Sequence, residues 1–227
     1  ETVLSSGIGC SSRMPGYINA CTLHTTHGRS LGFATGVKLA KPELTIVNVM
    51  GDGDCSAIGG NHFIHACRRN IDITAVVMNN NIYGMTGGQA SPTTPQGAFA
   101  STPPYGAIGP PFDLCNLAIG AGATFVARAT IAQPQLCETL IRKGIENKGF
   151  SVVEIVTHCH TQFGRKNKRS RPIDNFNFFK DNSVMKAKAD TMSAEELKGK
   201  IVIGELMHRE GEEYTHRYQQ LIERVRG

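Results

Sequence analysis

Apolar residues in this chain fall into continuous runs and helically spaced sets, and the two kinds alternate along its middle. Leu44 to Met50 is rich in β-branched residues, lies between Pro42 and Gly51, and predicts a strand buried on both faces of a parallel sheet. From Ala57 to Arg69, Ile58, Phe63, Ile64, Ala66 and Cys67 are spaced for a helix, and Ile71 to Met78 predicts a second buried strand. This βαβ unit has both of its loops, at Gly51 and at Asn79, on strand carboxyl ends. Helices over 113–121 and 133–148 then alternate with strands over 124–128 and 151–156. Upstream, Gly32 and Gly36 with Leu31, Ala34, Thr35 and Leu39 predict a helix from Gly28 to Leu39, lying close to a neighbouring backbone and closed by Pro42. The expected fold class is α/β: a mostly parallel sheet flanked by helices, with a C-terminal extension.

The remaining segments break the pattern. Asn79 to Gly109 is dominated by Gly, Pro, Ser and Thr and is too long for an ordinary connection, which marks it as a functional or mobile loop. A basic segment begins near Arg165, a polar stretch runs from Asp174 to Lys200, and a helix is expected from Glu212 to Val225 with Tyr214, Tyr218, Leu221, Ile222 and Val225 along one side. The expected division is an α/β domain over 1–163 and, over 164–227, a basic segment and extension that docks on a partner or on the core. With 227 residues and 40% hydrophobic content, one substantial core is the natural expectation.

The formal charge of +5 traces to Arg165, Lys166, Lys168, Arg169 and Arg171; without them the charges balance. This is one basic patch on a chain without Trp, which argues against a nucleic-acid partner. Seven cysteines are scattered without a regular framework, so reduced thiols or metal ligands are expected rather than disulfides. No apolar run is long enough to span a membrane and no export signal is visible, so a cytoplasmic protein without membrane association is expected.

Chemistry concentrates where the two strands end. In open α/β sheets, ligands sit outside strand carboxyl ends, and here those ends present Asp52 and Asn80. A hard cation such as Mg²⁺ takes oxygen ligands, a few from protein and the rest from phosphate and water. Gly51 and Gly53 would let the backbone turn and approach phosphates, and Asp54 leads into a helix whose first amides favour an anion. The bland alternative is two ordinary turns. Gly51-Asp52-Gly53 and, after residues 54–78, Asn79-Asn80 resemble the thiamine-diphosphate (TPP) signature of transketolases, decarboxylases and 2-oxoacid oxidoreductases. By that resemblance Asp52 and Asn80 bind Mg²⁺ through side chains and Ile82 through its carbonyl, in a thiamine-diphosphate-binding fold.

Longer segments narrow the likeness. Ser6 to Ser11 (SGIGCS), Leu23 to Arg29 (LHTTHGR), Gly59 to Phe63 (GGNHF), Ile82 to Gln89 (IYGMTGGQ) and Thr161 to Lys166 (TQFGRK) resemble the β subunit of 2-oxoacid:ferredoxin oxidoreductases, particularly the 2-oxoglutarate type. The resemblance implies oxidative decarboxylation of a small-molecule 2-oxoacid to its coenzyme A thioester, with electrons leaving through a 4Fe-4S cluster to ferredoxin, or the reverse carboxylation used in carbon fixation. It implies an α subunit that completes the cofactor site. Tyr83, Gly84, Met85 and Thr86 form the cofactor loop, with Met85 buttressing TPP in its bent form or simply filling core. His24 and His27 either donate to diphosphate or substrate or are structural. Arg13 matches the position of a cation for the substrate carboxylate, or is a surface residue. The Gly87-Gly88 position varies among relatives with different substrates.

Cys10 and Cys159 match two of the four cluster thiolates in the family. The N-terminal Cys-x-x-Cys pair that supplies the other two is absent, and with Glu1 only nine residues before Cys10, inside the expected first strand, the chain is expected to be a fragment; otherwise the cluster is missing or completed differently. Two rivals stay open: a non-redox TPP enzyme subunit, and a non-catalytic iron-sulfur electron-transfer subunit. The basic segment at 165–171 holds coenzyme A phosphates, attracts acidic ferredoxin, or is a solvated loop.

Overall fold

The computed structural model describes residues 1–227. Ten strands form in chain order: β1 Thr2–Ser6, β2 Cys21–His24, β3 Thr45–Gly51, β4 Thr74–Asn79, β5 Ile82–Tyr83, β6 Gln89–Ala90, β7 Phe125–Thr130, β8 Ser151–Val156, β9 Ser183–Met185 and β10 Ile201–His208. Between them lie α1 Ser30–Ala40, α2 Gly60–Arg69, α3 Leu114–Ala121, α4 Pro134–Glu146, α5 Pro172–Asn182, α6 Lys186–Ala189, α7 Ala194–Leu197 and α8 Tyr214–Arg226. Eight strands make one sheet in the order β2-β1-β3-β4-β8-β7-β10-β9. All neighbours are parallel except β10, which runs antiparallel to β7. The mostly parallel α/β sheet expected from the alternation is present.

Period-two alternation in the strands divides the core between the two faces. Ile46, Met50, Ala75, Val77, Val126 and Val152 pack with Leu31, Phe63, Ala66, Leu114 and Ala118 from α1, α2 and α3. Their neighbours Val49, Val76, Ala127, Val153 and Ile155 pack on the other face with Leu140 from α4. All six residues of β8 are buried.

Several expectations need correcting. The close approach anticipated at Gly32 and Gly36 occurs instead at Gly28: its φ is +70°, and a Cβ there would lie 2.3 Å from Ile58 and 2.7 Å from the Gly59 backbone. Nothing lies within 4 Å of a Cβ on Gly36. The helix expected from Ala57 is a π-turn over Asp54–Ile58 followed by α2 from Gly60. The loop from Asn79 carries the small β5–β6 hairpin, with Ile82 opposite Ala90.

The polar stretch from Asp174 to Lys200 forms α5 to α7 and β9, and β10 follows it into the main sheet. The extension therefore docks on this chain's own core. Asn70, in the left-handed conformation at the end of α2, donates from Nδ2 to the carbonyls of Gly211 (3.3 Å) and Glu212 (3.1 Å). Glu213 Oε1 accepts the Asp72 N–H at 2.9 Å. On α8, Tyr214 packs against the core, while Tyr218, Leu221 and Val225 stay exposed. No helix is long and apolar enough to cross a membrane.

Candidate active site

The chain winds from β1 to β2 on one side and passes through β3 to β4 on the other, so strand order reverses between β1 and β3. Such a switch point opens a crevice at the carboxyl edge of a parallel sheet. A cavity of about 470 Å³ lies there, walled by Ile8 to Ser11 after β1, His27 after β2, Gly51 to Asp54 after β3, Asn80 and Ile82 to Thr86 after β4, and Thr157 and His158 after β8. Cofactor pockets have this size and position.

Asp52 is 2% exposed and forms no ion pair, so its charge has no protein cation to offset it. Its Oδ2 accepts the hydroxyls of Ser91 (2.5 Å) and Thr93 (2.7 Å), while Oδ1 has only a 3.4 Å contact from the Asn80 N–H. Burial pushes the carboxyl above its usual range, against the two hydroxyls that favour ionisation. Oδ1 is thus the oxygen with coordination capacity to spare. Asn80 Oδ1 accepts the Ile82 N–H at 3.1 Å and keeps a second lone pair. Ile82 itself is buried in the hairpin. One carboxylate, one carboxamide and a carbonyl make a hard, oxygen-only donor set, which suits Mg²⁺ sharing its shell with phosphate. No cluster of three or more His, Cys, Asp or Glu residues that could enclose a metal occurs.

The neighbouring residues divide the expected roles differently. Neither Gly51 nor Gly53 has positive φ, so the sharp turn expected of them is not made, and only Gly53 is required by close approach. A Cβ on Gly53 would lie 2.3 Å from the Tyr83 ring, whose hydroxyl donates to the Gly53 carbonyl at 3.2 Å. Gly51 is not confined in this way: the nearest atom to its Cβ position is Ser11 Oγ, at 3.7 Å. Burial, then Asp52 and Asp54, push the Tyr83 phenol up.

Asp54 lines the cavity, yet its bonds run to protein loops. Oδ1 accepts the Gly28 N–H at 2.5 Å and lies 2.8 Å from His27 Nδ1. Burial pushes this carboxyl up too, against the Gly28 amide and His27. His27 Nδ1 also lies 3.0 Å from the Ile8 carbonyl. With two acceptors at Nδ1, the proton sits there, and Nε2 is left without a protein partner in a ring that walls the cavity.

Met85 lines the cavity and is 53% exposed, which excludes core filling for its side chain. Thr86 joins it on the wall. His24 is exposed at the end of β2, away from the cavity wall. Arg13 sits on a 3-10 turn over Ser11–Tyr17, exposed and free of side-chain hydrogen bonds, and the cavity wall does not include it. Cys10 and Cys159, far apart in sequence, come together over Gly84: a Cβ there would lie 3.6 Å from one sulfur and 3.2 Å from the other. Three further thiols, Cys55, Cys67 and Cys115, are buried, which pushes them up and leaves them inert.

Ser91 and Thr93 escaped the sequence reading. Both are buried within the long loop, 39 and 41 positions from the carboxylate they bind. The visible signal was Ser91-Pro92-Thr93-Thr94, a hydroxyl-rich run in a loop already marked as functional by its length.

Known proteins share this fold. Residues 7–155 match the family described as thiamine pyrophosphate enzyme, C-terminal TPP binding domain. The chain is 55% identical over 226 residues to 2-oxoglutarate synthase subunit KorB of Methanocaldococcus jannaschii, covering 100% of this chain and 84% of that protein. It is 58% identical over 182 residues to the KorB subunit of Archaeoglobus fulgidus, covering 80% and 66% respectively. Among solved structures it superimposes with a TM-score of 0.88, at 35% identity, on 2-oxoglutarate:ferredoxin oxidoreductase from Magnetococcus marinus with 2-oxoglutarate, coenzyme A and succinyl-CoA bound, covering 100% of this chain and 78% of that one. The carboxyl-edge cavity, the buried Asp52 and these likenesses converge: the chain belongs to the TPP-dependent 2-oxoacid:ferredoxin oxidoreductase family, as a β subunit.

Proposed function

We propose that this chain binds Mg²⁺ and the diphosphate end of TPP in the cavity at the carboxyl edge of the sheet, and serves the oxidative decarboxylation of 2-oxoglutarate to succinyl-CoA or its reversal. The observation that carries this reading is Asp52, a buried carboxylate without a cation, with Oδ1 left open beside Asn80. Asp52 and Asn80 would hold the metal through their side-chain oxygens, with the Ile82 carbonyl as a third ligand. When bound, TPP supplies the nucleophilic carbon and stores the electron pair released by loss of CO₂. The protein contributes position and exclusion of water: Met85 offers an exposed apolar side chain at the wall, and the Asp54–His27 pair fixes an imidazole with Nε2 free. Arg13 would meet the substrate carboxylate only with help from a partner's surface or substrate-induced closure.

The substrate assignment rests on relatives named for 2-oxoglutarate and on the Magnetococcus enzyme, which holds 2-oxoglutarate, coenzyme A and succinyl-CoA. An α subunit completing the site is supported by the apolar rim: Met14 and Ile8 at the cavity, and Tyr17 and Ile18 beyond it, are exposed. Cys10 and Cys159 would bind a 4Fe-4S cluster and pass electrons to ferredoxin. Their sulfurs approach the same point over Gly84, and the remaining two thiolates would come from outside this set.

The assembled enzyme, purified without oxygen, is expected to contain TPP, Mg²⁺ and iron and to reduce viologen best with 2-oxoglutarate, compared with pyruvate and branched 2-oxoacids. Asp52→Ala is expected to lose Mg²⁺ and TPP. Undiminished binding in that variant defeats the metal assignment, and absence of reduction with every 2-oxoacid despite bound TPP defeats the oxidoreductase reading.

A further inference from the structure

Glu154 lies within β8, is 2% exposed, and takes no part in the cavity wall. A buried carboxylate is costly unless its oxygens are bonded, and both are. Oε2 accepts Arg128 Nε at 2.6 Å and the Cys115 thiol at 3.2 Å. Oε1 accepts Asn79 Nδ2 at 2.7 Å.

That last bond sets the orientation of Asn79. A carboxylate only accepts, so Asn79 must turn its NH₂ toward Glu154 and its carbonyl the other way. The carbonyl, Oδ1, then meets Thr93 Oγ1 at 3.0 Å and the Asn81 N–H at 3.0 Å. With the amide reversed, an NH₂ would face the Asn81 N–H, donor against donor. The Asn81 bond shapes the turn that presents Asn80, with Asn81 at φ 60°. Thr93 has one hydroxyl proton, shared between the Asp52 carboxylate at 2.7 Å and the Asn79 carbonyl at 3.0 Å. Asn79 therefore touches both arms of the proposed magnesium site, Asp52 through Thr93 and Asn80 through Asn81.

We infer that Glu154, held by Arg128, is a positioning residue for the magnesium–diphosphate site, setting Asp52 and Asn80 together by fixing the orientation of Asn79. This rests on the Mg²⁺–TPP reading above. An apolar residue could replace a buried ion pair with little loss of stability, because desolvation offsets much of the attraction. It could not orient an amide. The function of the charge is therefore read in metal affinity, because a loss of stability on removing one partner alone reports only the broken pair.

The test measures Mg²⁺ affinity by calorimetry in the assembled enzyme at saturating TPP, with kcat at saturating Mg²⁺ as a second readout. In Glu154→Gln the amide cannot accept from both Asn79 and Arg128, so one pair becomes donor against donor. Thr93→Val removes the hydroxyl at nearly constant shape, and Thr93→Ser keeps it. Glu154→Gln and Thr93→Val are expected to weaken Mg²⁺ binding about 10- to 100-fold, the usual loss when a residue that orients a metal ligand is altered. Thr93→Ser is expected to bind as the parent does, and excess Mg²⁺ to restore much of the turnover in both weakened variants. A folded Glu154→Gln enzyme, or a Thr93→Val enzyme, with parental Mg²⁺ affinity overturns the inference; Thr93→Val carries the test if Glu154→Gln does not assemble. Asp52→Asn separates the two levels. If it also binds Mg²⁺ as the parent does, the magnesium reading fails as a whole; if it alone loses Mg²⁺, only the positioning inference fails.

Discussion

At the scale of single residues, the two glycines flanking Asp52 look equivalent in sequence but are not equivalent in space. A methyl group on Gly53 would press into the Tyr83 ring at 2.3 Å, whereas one on Gly51 meets nothing closer than 3.7 Å. Gly53→Ala is therefore expected to destabilise the chain by about 1–3 kcal/mol through overpacking, while Gly51→Ala leaves stability nearly unchanged. Chemical denaturation of the two variants side by side checks this, and equal losses would contradict the difference in close approach. The signature residues Asp52 and Asn80 were legible because their chemistry and strand-end placement coincide. Tyr83 over Gly53, Asp54 on Gly28, and the hydroxyls of Ser91 and Thr93 on Asp52 were not legible. Each is a contact across many residues made by a loop without periodicity, and periodicity is what makes a sequence readable locally.

At the scale of elements, the end of α2 fastens three parts of the molecule with one side chain. Asn70 sits at φ 53°, where a short polar side chain is tolerated better than an alanine. Its Oδ1 accepts the Phe150 N–H and the Thr124 hydroxyl, each at 2.8 Å, and its Nδ2 reaches the carbonyls of Gly211 and Glu212. Asn70→Ala leaves the buried Phe150 amide without an acceptor and is expected to cost roughly 3 kcal/mol or more, combining that loss with left-handed strain. Asn70→Gly, which relieves the strain but not the lost bonds, should recover only part. Denaturant midpoints of the three proteins check the order, and a glycine variant matching the parent would show that strain alone mattered. The central strands and helices were predicted because apolar runs between Pro and Gly specify a buried parallel sheet. β10 was not: it joins the sheet antiparallel beside β7 with a register shift between Glu205 and Met207, and most of its residues are only partly buried, so its alternation is weak.

At the scale of the whole molecule, the proposed cofactor site and electron exit share one wall. Cys10 lines the cavity, and its sulfur and that of Cys159 lie 3.6 Å and 3.2 Å from a Cβ built on Gly84, within the loop that also carries Met85. The two sulfurs are therefore separated by no more than the sum of those distances, close enough for a single cluster to contact both. On the proposed reading, a path from the reacting carbon to iron passes along the Tyr83–Gly84–Met85 segment without leaving this chain. Cys159→Ser should then remove iron from the assembled enzyme and abolish viologen reduction, because a hydroxyl replaces the thiolate that iron prefers. It should leave TPP and Mg²⁺ content intact, since neither Asp52, Asn80 nor the Ser91 and Thr93 hydroxyls are hydrogen-bonded to Cys159. Iron and TPP analysis of the same anaerobic preparation reads both outcomes together. Loss of both cofactors would instead mean that the thiol holds the cavity's shape, and full iron with unchanged reduction would remove Cys159 from the electron path.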